Sequence, residues 1–400
     1  MRKSAAVMVI LLLAAGLMIW GCSKDPTGIV DQEALPTIDQ VATQAQEIIP
    51  GQYVVVLNEP GVIKANSMMK YDEAVLYAKK QAETIMKDNR VSVDKIKQAY
   101  GSALMGFCAS LTDQEASALR ADKRVSYIEA DRMIFLKIDA KPTPVQPAQT
   151  VPYGIVRVGH ASGIGKTAWI LDTGVDLDHP DLTVNTTLQK NFIDPASTAD
   201  DDNGHGTHCA GIVAAIDNTI GVIGVASGAT VVPVKVLARN GSGAYSVVIA
   251  GVDYVASVGK AGEAANMSLT GPVYQALDDA VLAASNKGIF FALAAGNNSD
   301  DAGLYSPARV NGTYVWTISA MDATDTWAYF SNYGNPPVDY CEPGVNIYSC
   351  YKGGGYTTMS GTSMASPHMC GILLITGGRP VTDGYVKNDP DNKADPIGHI

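Results

Sequence analysis

Positive charge is scarce in this chain of 400 residues: 29 Lys and Arg stand against 40 Asp and Glu, a formal net charge of -11. A protein that binds nucleic acid needs a basic face, so no nucleic-acid partner is expected. Charged residues make up only 17% of the chain and hydrophobic ones 46%, which excludes global disorder and supplies a sizeable core. The chain also lacks an apolar run long enough to span a membrane comfortably. Its longest, residues 5–20, has sixteen residues where ~20 are needed. Internal repeats and low-complexity tracts are absent, and the length suits two domains, one of them large.

Arg2 and Lys3 precede that run, and Gly21-Cys22 and the polar Ser23-Lys24-Asp25 follow it, so residues 1–21 read as an export signal. Ile19-Trp20-Gly21-Cys22 resembles a bacterial lipobox. The resemblance implies that Cys22 becomes a lipidated N-terminal residue that anchors the protein to a membrane of the cell envelope, or leaves it extracellular once cut free. Cysteines are few. Cys341 and Cys350 flank eight residues in a loop containing Gly and Pro, and export permits oxidation, so a local disulfide is expected. Cys108, Cys209 and Cys370 have apolar or helical neighbours and read as buried thiols.

A polar tether, residues 22–50, leads to a compact unit over residues 51–138. Gln52-Tyr53-Val54-Val55-Val56-Leu57 is a strand by its β-branched content. Residues 71–87 carry apolar side chains at helical spacing, 105–111 form a second strand, and Thr112-Asp113-Gln114-Glu115 is a capping box opening a short helix. With a third strand over 125–136 this is a small α+β sandwich of ferredoxin-like type. Residues 139–147 form a Pro-rich linker. Over residues 148–400, apolar strands (168–171, 231–237, 265–269, 289–295) alternate with helices (246–258, 273–287). That is the pattern of an α/β domain on a doubly wound, mostly parallel sheet, whose function gathers at the carboxyl ends of the strands.

Three motifs carry chemistry. Ala168-Trp169-Ile170-Leu171 runs into Asp172-Thr173-Gly174, which puts a carboxylate at a strand's carboxyl end. An aspartic protease would need two such carboxylates sharing a proton, and no second DTG or DSG is present. Asn203-Gly204-His205-Gly206-Thr207-His208-Cys209 opens a helix with His205, His208 and Cys209 on one face, ligand-like but without the glutamate of HExxH. Gly361-Thr362-Ser363-Met364-Ala365 introduces an apolar helix reaching about residue 376. There Ser363 is either an N-cap or a nucleophile favoured by the positive helix end, and Ala365 departs from GxSxG.

In the chain order Asp, His, Ser, with these flanking glycines, the motifs resemble those of the subtilases, along residues 51–376. The resemblance implies a serine endopeptidase acting on proteins or peptides. Ser363 would be the nucleophile, His205 the general base and acid, and Asp172 the group that orients the imidazole. Ala294-Ala295-Gly296-Asn297 matches the oxyanion segment, which implies that Asn297 donates to the oxyanion beside the Ser363 N–H. Gly241-Ser242-Gly243 and Ser268-Leu269-Thr270 resemble the two edges that pair with an extended substrate. Thr270 stands where the family usually has Gly, so the first pocket should prefer smaller or differently shaped side chains.

Residues 215–222 resemble the family's calcium loop, implying Ca2+ held by Gln149, Asp181, Asn218 and the carbonyls of Ile216, Ile220 and Val222. Residues 51–138 resemble the inhibitory propeptide. The protein would therefore be made as a zymogen inhibited by its own propeptide, cut between residues 138 and 146 or after Gln149, with a catalytic domain acting as a monomer. Two other readings stay open: a surface-binding lipoprotein on a degenerate subtilase fold, and a metal-dependent hydrolase using His205 and His208. The acidic residues 383–400 have no role assigned.

Overall fold

A computed structural model of the chain describes residues 47–58, 69–136 and 146–400. The expected export signal, Cys22 and most of the tether and Pro-rich linker lie outside them. Among the described residues no helix is long and apolar enough to cross a membrane.

The smaller unit runs β1 (Ile48–Leu57), α1 (Tyr71–Asp88), β2 (Ile96–Tyr100), β3 (Gly106–Ser110), α2 (Asp113–Arg120) and β4 (Val125–Phe135). Its strands pair antiparallel in the order β4-β1-β3-β2, the ferredoxin-like arrangement. Alternation along β1 explains why the sheet is buried on both faces. Val55 packs with Phe107 and Ile128 beneath α1 and α2. Val54 and Val56 face the other way, into a core shared with the larger domain. The capping box of α2 forms as expected, with Glu115 N donating to Thr112 Oγ1 at 3.2 Å and Thr112 N to the Glu115 carboxylate at 2.9 Å. Strand β2 was not legible, because Ile96-Lys97-Gln98-Ala99-Tyr100 buries only its last two residues.

The larger domain opens with α3 (Tyr153–Val158) and continues through β5 (Thr167–Asp172), β6 (Thr183–Val184), β7 (Lys190–Asn191), α4 (His205–Ala214), β8 (Thr230–Lys235), β9 (Ser242–Ala244) and α5 (Tyr245–Val258). There follow β10 (Ala264–Met267), α6 (Gln275–Ser285), β11 (Phe290–Ala294), β12 (Val315–Met321), β13 (Val338–Pro343), the hairpin β14 (Ile347–Tyr351) and β15 (Gly355–Met359), α7 (Thr362–Thr376), β16 (Val381–Tyr385) and β17 (Pro396–His399). The main sheet has the order β16-β17-β13-β12-β11-β10-β5-β8-β6, with β7 also on β8, and only β16 runs antiparallel to its neighbour. Strand β5 alternates between the two cores: Trp169 and Leu171 meet α5 and α6, whereas Ala168 and Ile170 meet α4 and α7. This is the α/β, doubly wound, mostly parallel sheet expected from the sequence.

The acidic C-terminal stretch extends that sheet. Ile397 of β17 pairs with Cys341, and Arg157 of α3 holds β16 by ion-pairing with Asp383 at 3.0 Å. The expected Cys341–Cys350 disulfide is not formed, and both thiols are free and buried. Cys341 lies in β13 among Met321, Val386 and Ile397, whereas Cys350 lies in β14 against α4. The eight residues between them leave the main sheet and enter the hairpin, which carries the two sulfurs into separate cores.

Candidate active site

The parallel sheet brings the carboxyl end of β5 beneath the first turn of α4. Asp172, the last residue of β5, is fully buried, and its Oδ1 and Oδ2 lie 2.8 and 2.9 Å from Nδ1 of the buried His205, the first residue of α4. Thr173 N also donates to Asp172 Oδ1, at 2.7 Å. Burial by itself would lower the pKa of His205. The Asp172 carboxylate overrides it and holds the imidazole well above its ordinary value.

Ser363 sits in the first turn of α7 and is half-buried. Its hydroxyl donates to the Ser268 carbonyl at 3.2 Å, and among the described residues no hydrogen bond joins it to His205. Its backbone is gripped in an unusual way. Pro367, inside α7, has no N–H to give to the carbonyl of residue 363. That carbonyl instead accepts Ser268 Oγ at 2.8 Å and the Cys209 thiol at 3.4 Å. Cys209 Sγ is also 4.0 Å from both Asp172 Oδ2 and His205 Nδ1, so one buried thiol touches all three residues. Burial pushes the Cys209 pKa up and keeps it S–H. Cys209 is the buried thiol that its neighbours in sequence imply, and it also reaches the site. Its position four residues after His205, on the same helical face, was the signal for its placement here.

Asn297 follows β11 and turns its Oδ1 to Thr362, accepting the N–H at 2.8 Å and the hydroxyl at 2.9 Å. A Cβ added at Gly361 would come 3.3 Å from Asn297 Nδ2, so this amide borders the Ser363 turn. His208 does not join the group. It is buried and points Nε2 at the carbonyls of Ile347 and Thr357, 3.1 and 3.2 Å away, and burial lowers its pKa to about 3. It is a neutral core histidine, and with His205 Nδ1 held by Asp172 the His205–His208 metal pair does not assemble.

Among the described residues, one of the two expected edge segments is paired as a strand. Gly243 of β9 pairs antiparallel with Ile134 of β4, Ser242 with Phe135, and Leu136 N donates to Gly241 O at 2.9 Å. The end of the smaller unit thus lies on this edge as an added strand, with Ile134 fully buried against it. Ser268 and Leu269 are buried beside Ser363, and a Cβ at Gly296 would meet Thr270 Oγ1 at 3.2 Å, which puts Thr270 on the wall next to Asn297. Polar contacts hold the two units together. Glu129 caps α6 by accepting Gln275 N and Ala276 N at 3.2 and 2.8 Å, and Asp131 accepts Ser246 N of α5 at 3.1 Å. In return, Asp253 of α5 accepts the N–H groups of Gly101, Ser102 and Ala103.

The expected calcium ligands converge on one loop. Asp181 is fully buried and accepts Asn218 Nδ2 at 2.7 Å, Val222 N at 3.0 Å and Tyr356 OH at 3.2 Å. Gln149 Nε2 donates to Ile216 O at 3.2 Å, and Ile220 N to Asn218 Oδ1 at 2.7 Å. The loop gathers one buried carboxylate, two amide side chains and the Ile216 carbonyl, groups whose oxygens suit a hard cation, with the amide NH2 groups here turned to Asp181 and to Ile216 O.

Compared with known families, residues 165–377 match the subtilase family and residues 52–137 match peptidase inhibitor I9. An extracellular serine proteinase of Thermus sp. (strain Rt41A) is 36% identical over 381 residues, 91% of this chain and 88% of that protein. Alkaline serine exoprotease A of Vibrio alginolyticus is 37% identical over 339 residues, 82% of this chain and 60% of that protein. Among solved structures, a cold adapted subtilisin-like serine proteinase aligns with a TM-score of 0.55 at 35% identity, covering 61% of this chain and 96% of that one.

Proposed function

This chain belongs to the subtilase family, and from that premise we propose that Asp172, His205 and Ser363 are the working triad of a secreted serine endopeptidase held as a zymogen by its own propeptide. Ser363 Oγ attacks the scissile carbonyl. His205 Nε2 takes its proton and returns it to the leaving amine, while Asp172 keeps the proton on Nδ1 and stabilises the imidazolium. In the zymogen the hydroxyl faces the Ser268 carbonyl, so attack begins with its rotation toward His205. The oxyanion forms between the Ser363 N–H and Asn297 Nδ2, and the hold of Thr362 on Asn297 Oδ1 keeps that amide aimed.

One observation carries the reading: a buried imidazole with both oxygens of a buried carboxylate within 2.9 Å of Nδ1. A fluorophosphonate probe should label Ser363 of the processed wild type and nothing in Ser363→Ala, whose full-length chain should stay uncut by mass spectrometry. An unlabelled but processed wild type would remove the triad and favour a binding protein.

The finer assignments follow the same reading. Calcium belongs in the loop of Gln149, Asp181, Ile216, Asn218, Ile220 and Val222, where it would supply the charge that the buried Asp181 lacks among its neutral donors. Residues 51–138 act as inhibitor, with β4 laid in the groove as a pseudo-substrate. Maturation cuts between residues 138 and 146, because Pro147 O accepts Gly221 N and Ala148 and Thr150 bridge to Ile220 and Val222, tying that segment to the calcium loop. Thr270 narrows the first pocket. Cys22 carries the lipid, and a Cys22→Ala protein should leave the membrane fraction.

A further inference from the structure

Asp201, in the loop ahead of α4, is a buried carboxylate that the triad leaves without a task. It accepts five hydrogen bonds. Oδ1 takes Thr173 Oγ1 at 2.9 Å, Asn203 N at 3.0 Å and Gly204 N at 2.8 Å; Oδ2 takes Thr207 N at 2.9 Å and Thr207 Oγ1 at 2.6 Å. A carboxylate has about four lone-pair sites, so its accepting capacity is used up.

The donors come from two places that must stay in register. Thr173 directly follows Asp172, whereas Gly204 and Thr207 flank His205. Thr173 extends the grip, because its Oγ1 accepts Gly206 N at 3.0 Å while its own N–H donates to Asp172 Oδ1 at 2.7 Å. The N–H groups at the start of α4 are thereby all accounted for. Those of Gly204 and Thr207 go to Asp201, that of Gly206 to Thr173, and that of His205 to Asn203 Oδ1 at 3.1 Å. Close approach adds to the constraint, since a Cβ at Gly206 would stand 2.0 Å from Gly174 O. Below, the buried Lys235 donates to Thr173 O at 2.5 Å and Asp202 Oδ1 at 2.7 Å, pinning the same strand end from the other side. An ordinary N-cap would hold the helix alone; this carboxylate also holds the strand.

We propose, resting on the triad reading above, that Asp201 is a positioning residue for the reaction: by binding Thr173 and the first turn of α4 to one carboxylate it sets the contact between His205 Nδ1 and Asp172. The imidazole is a useful base only while that contact fixes its tautomer and its ring plane.

The test uses full-length chains that mature themselves: wild type, Asp201→Asn, Thr173→Val and Thr173→Ser. Active sites are counted by fluorophosphonate labelling, and kcat and KM are measured against pH. Asp201→Asn keeps the size but turns an NH2 toward the donors. It should lower kcat per labelled site by about 10²-fold with KM little changed, the loss that a small misplacement of a reacting group produces. The acid limb of kcat/KM should also move to lower pH as the hold of Asp172 on the imidazole loosens. Thr173→Val should shift both readouts the same way, with Thr173→Ser about tenfold the more active of the two because it keeps the hydroxyl. A lower melting temperature with kcat and the acid limb as in the wild type would overturn the proposal and leave Asp201 a structural residue. Should Asp201→Asn fail to mature, the Thr173 pair decides by the same readouts. Failure of the wild type to label would instead overturn the triad, a separate outcome.

Discussion

Asp253→Ala should loosen the propeptide while leaving the catalytic residues untouched. Asp253 lies on α5, wholly buried, and its carboxylate accepts Gly101 N at 3.2 Å, Ser102 N at 2.7 Å and Ala103 N at 2.6 Å, all from the smaller unit. Burial raises its pKa above the ordinary carboxylate value, and the three N–H groups offset that rise only in part. Hydrogen bonds to a charged group contribute about 1.5–3 kcal/mol each, and three that share one acceptor are not additive, so the truncation should cost about 2–4 kcal/mol of docking. At 1.4 kcal/mol per decade, this is roughly 30- to 10³-fold in the opening equilibrium. Hydrogen exchange in the full-length Ser363→Ala zymogen reads it directly. The amides of residues 101–103 should exchange faster by that factor, with Asp253→Asn between, since its amide oxygen still accepts. Unchanged protection in Asp253→Ala would refute the reasoning and place the docking energy in the apolar contacts of Val54, Val56 and Ile134.

Other outcomes follow from the same structure. Because Asp172 holds the pKa of His205 well above its ordinary value and only the neutral ring accepts a proton, kcat/KM should fall off on the acid side from above pH ~6.5, and Asp172→Asn should move that limb down while lowering kcat about 10⁴-fold. Calcium at 100 times its dissociation constant should stabilise the processed enzyme by about 2.7 kcal/mol, read as a higher melting temperature that chelator reverses and Asp181→Ala abolishes; a melting curve indifferent to chelator would remove the site. Thr270→Gly should raise kcat/KM for substrates with Phe or Tyr in the first pocket, and equal rates in both proteins would show that Thr270 does not line it.

The two-domain architecture and the chemistry-bearing motifs were legible because each depends on neighbours in the chain. The β-branched run 52–57, the Thr112–Glu115 box and the apolar strands ending at Asp172 and Ala294 show their structure through local spacing. Strand β2 and the C-terminal strands were not legible: β2 carries a polar pattern, and β16 and β17 depend on an edge that β13 provides. The Cys341–Cys350 expectation failed for a related reason, since nearness in sequence did not reveal that the chain changes sheets between the two residues.

Taken alone, the sequence determined which groups are present: a carboxylate at a strand end, an imidazole and a hydroxyl at helix starts, and a strand able to lie in a groove. Only the tertiary structure decided how they are held. The Ser363 carbonyl is left free by Pro367 and taken up by Ser268 and Cys209. Asp201 joins Thr173 to the His205 helix, and β4 finds its register on β9. The partners in these contacts mostly lie tens to more than a hundred residues apart. They form because buried donors and acceptors must be matched once the parallel sheet has brought its strand ends together, a condition that no local pattern expresses.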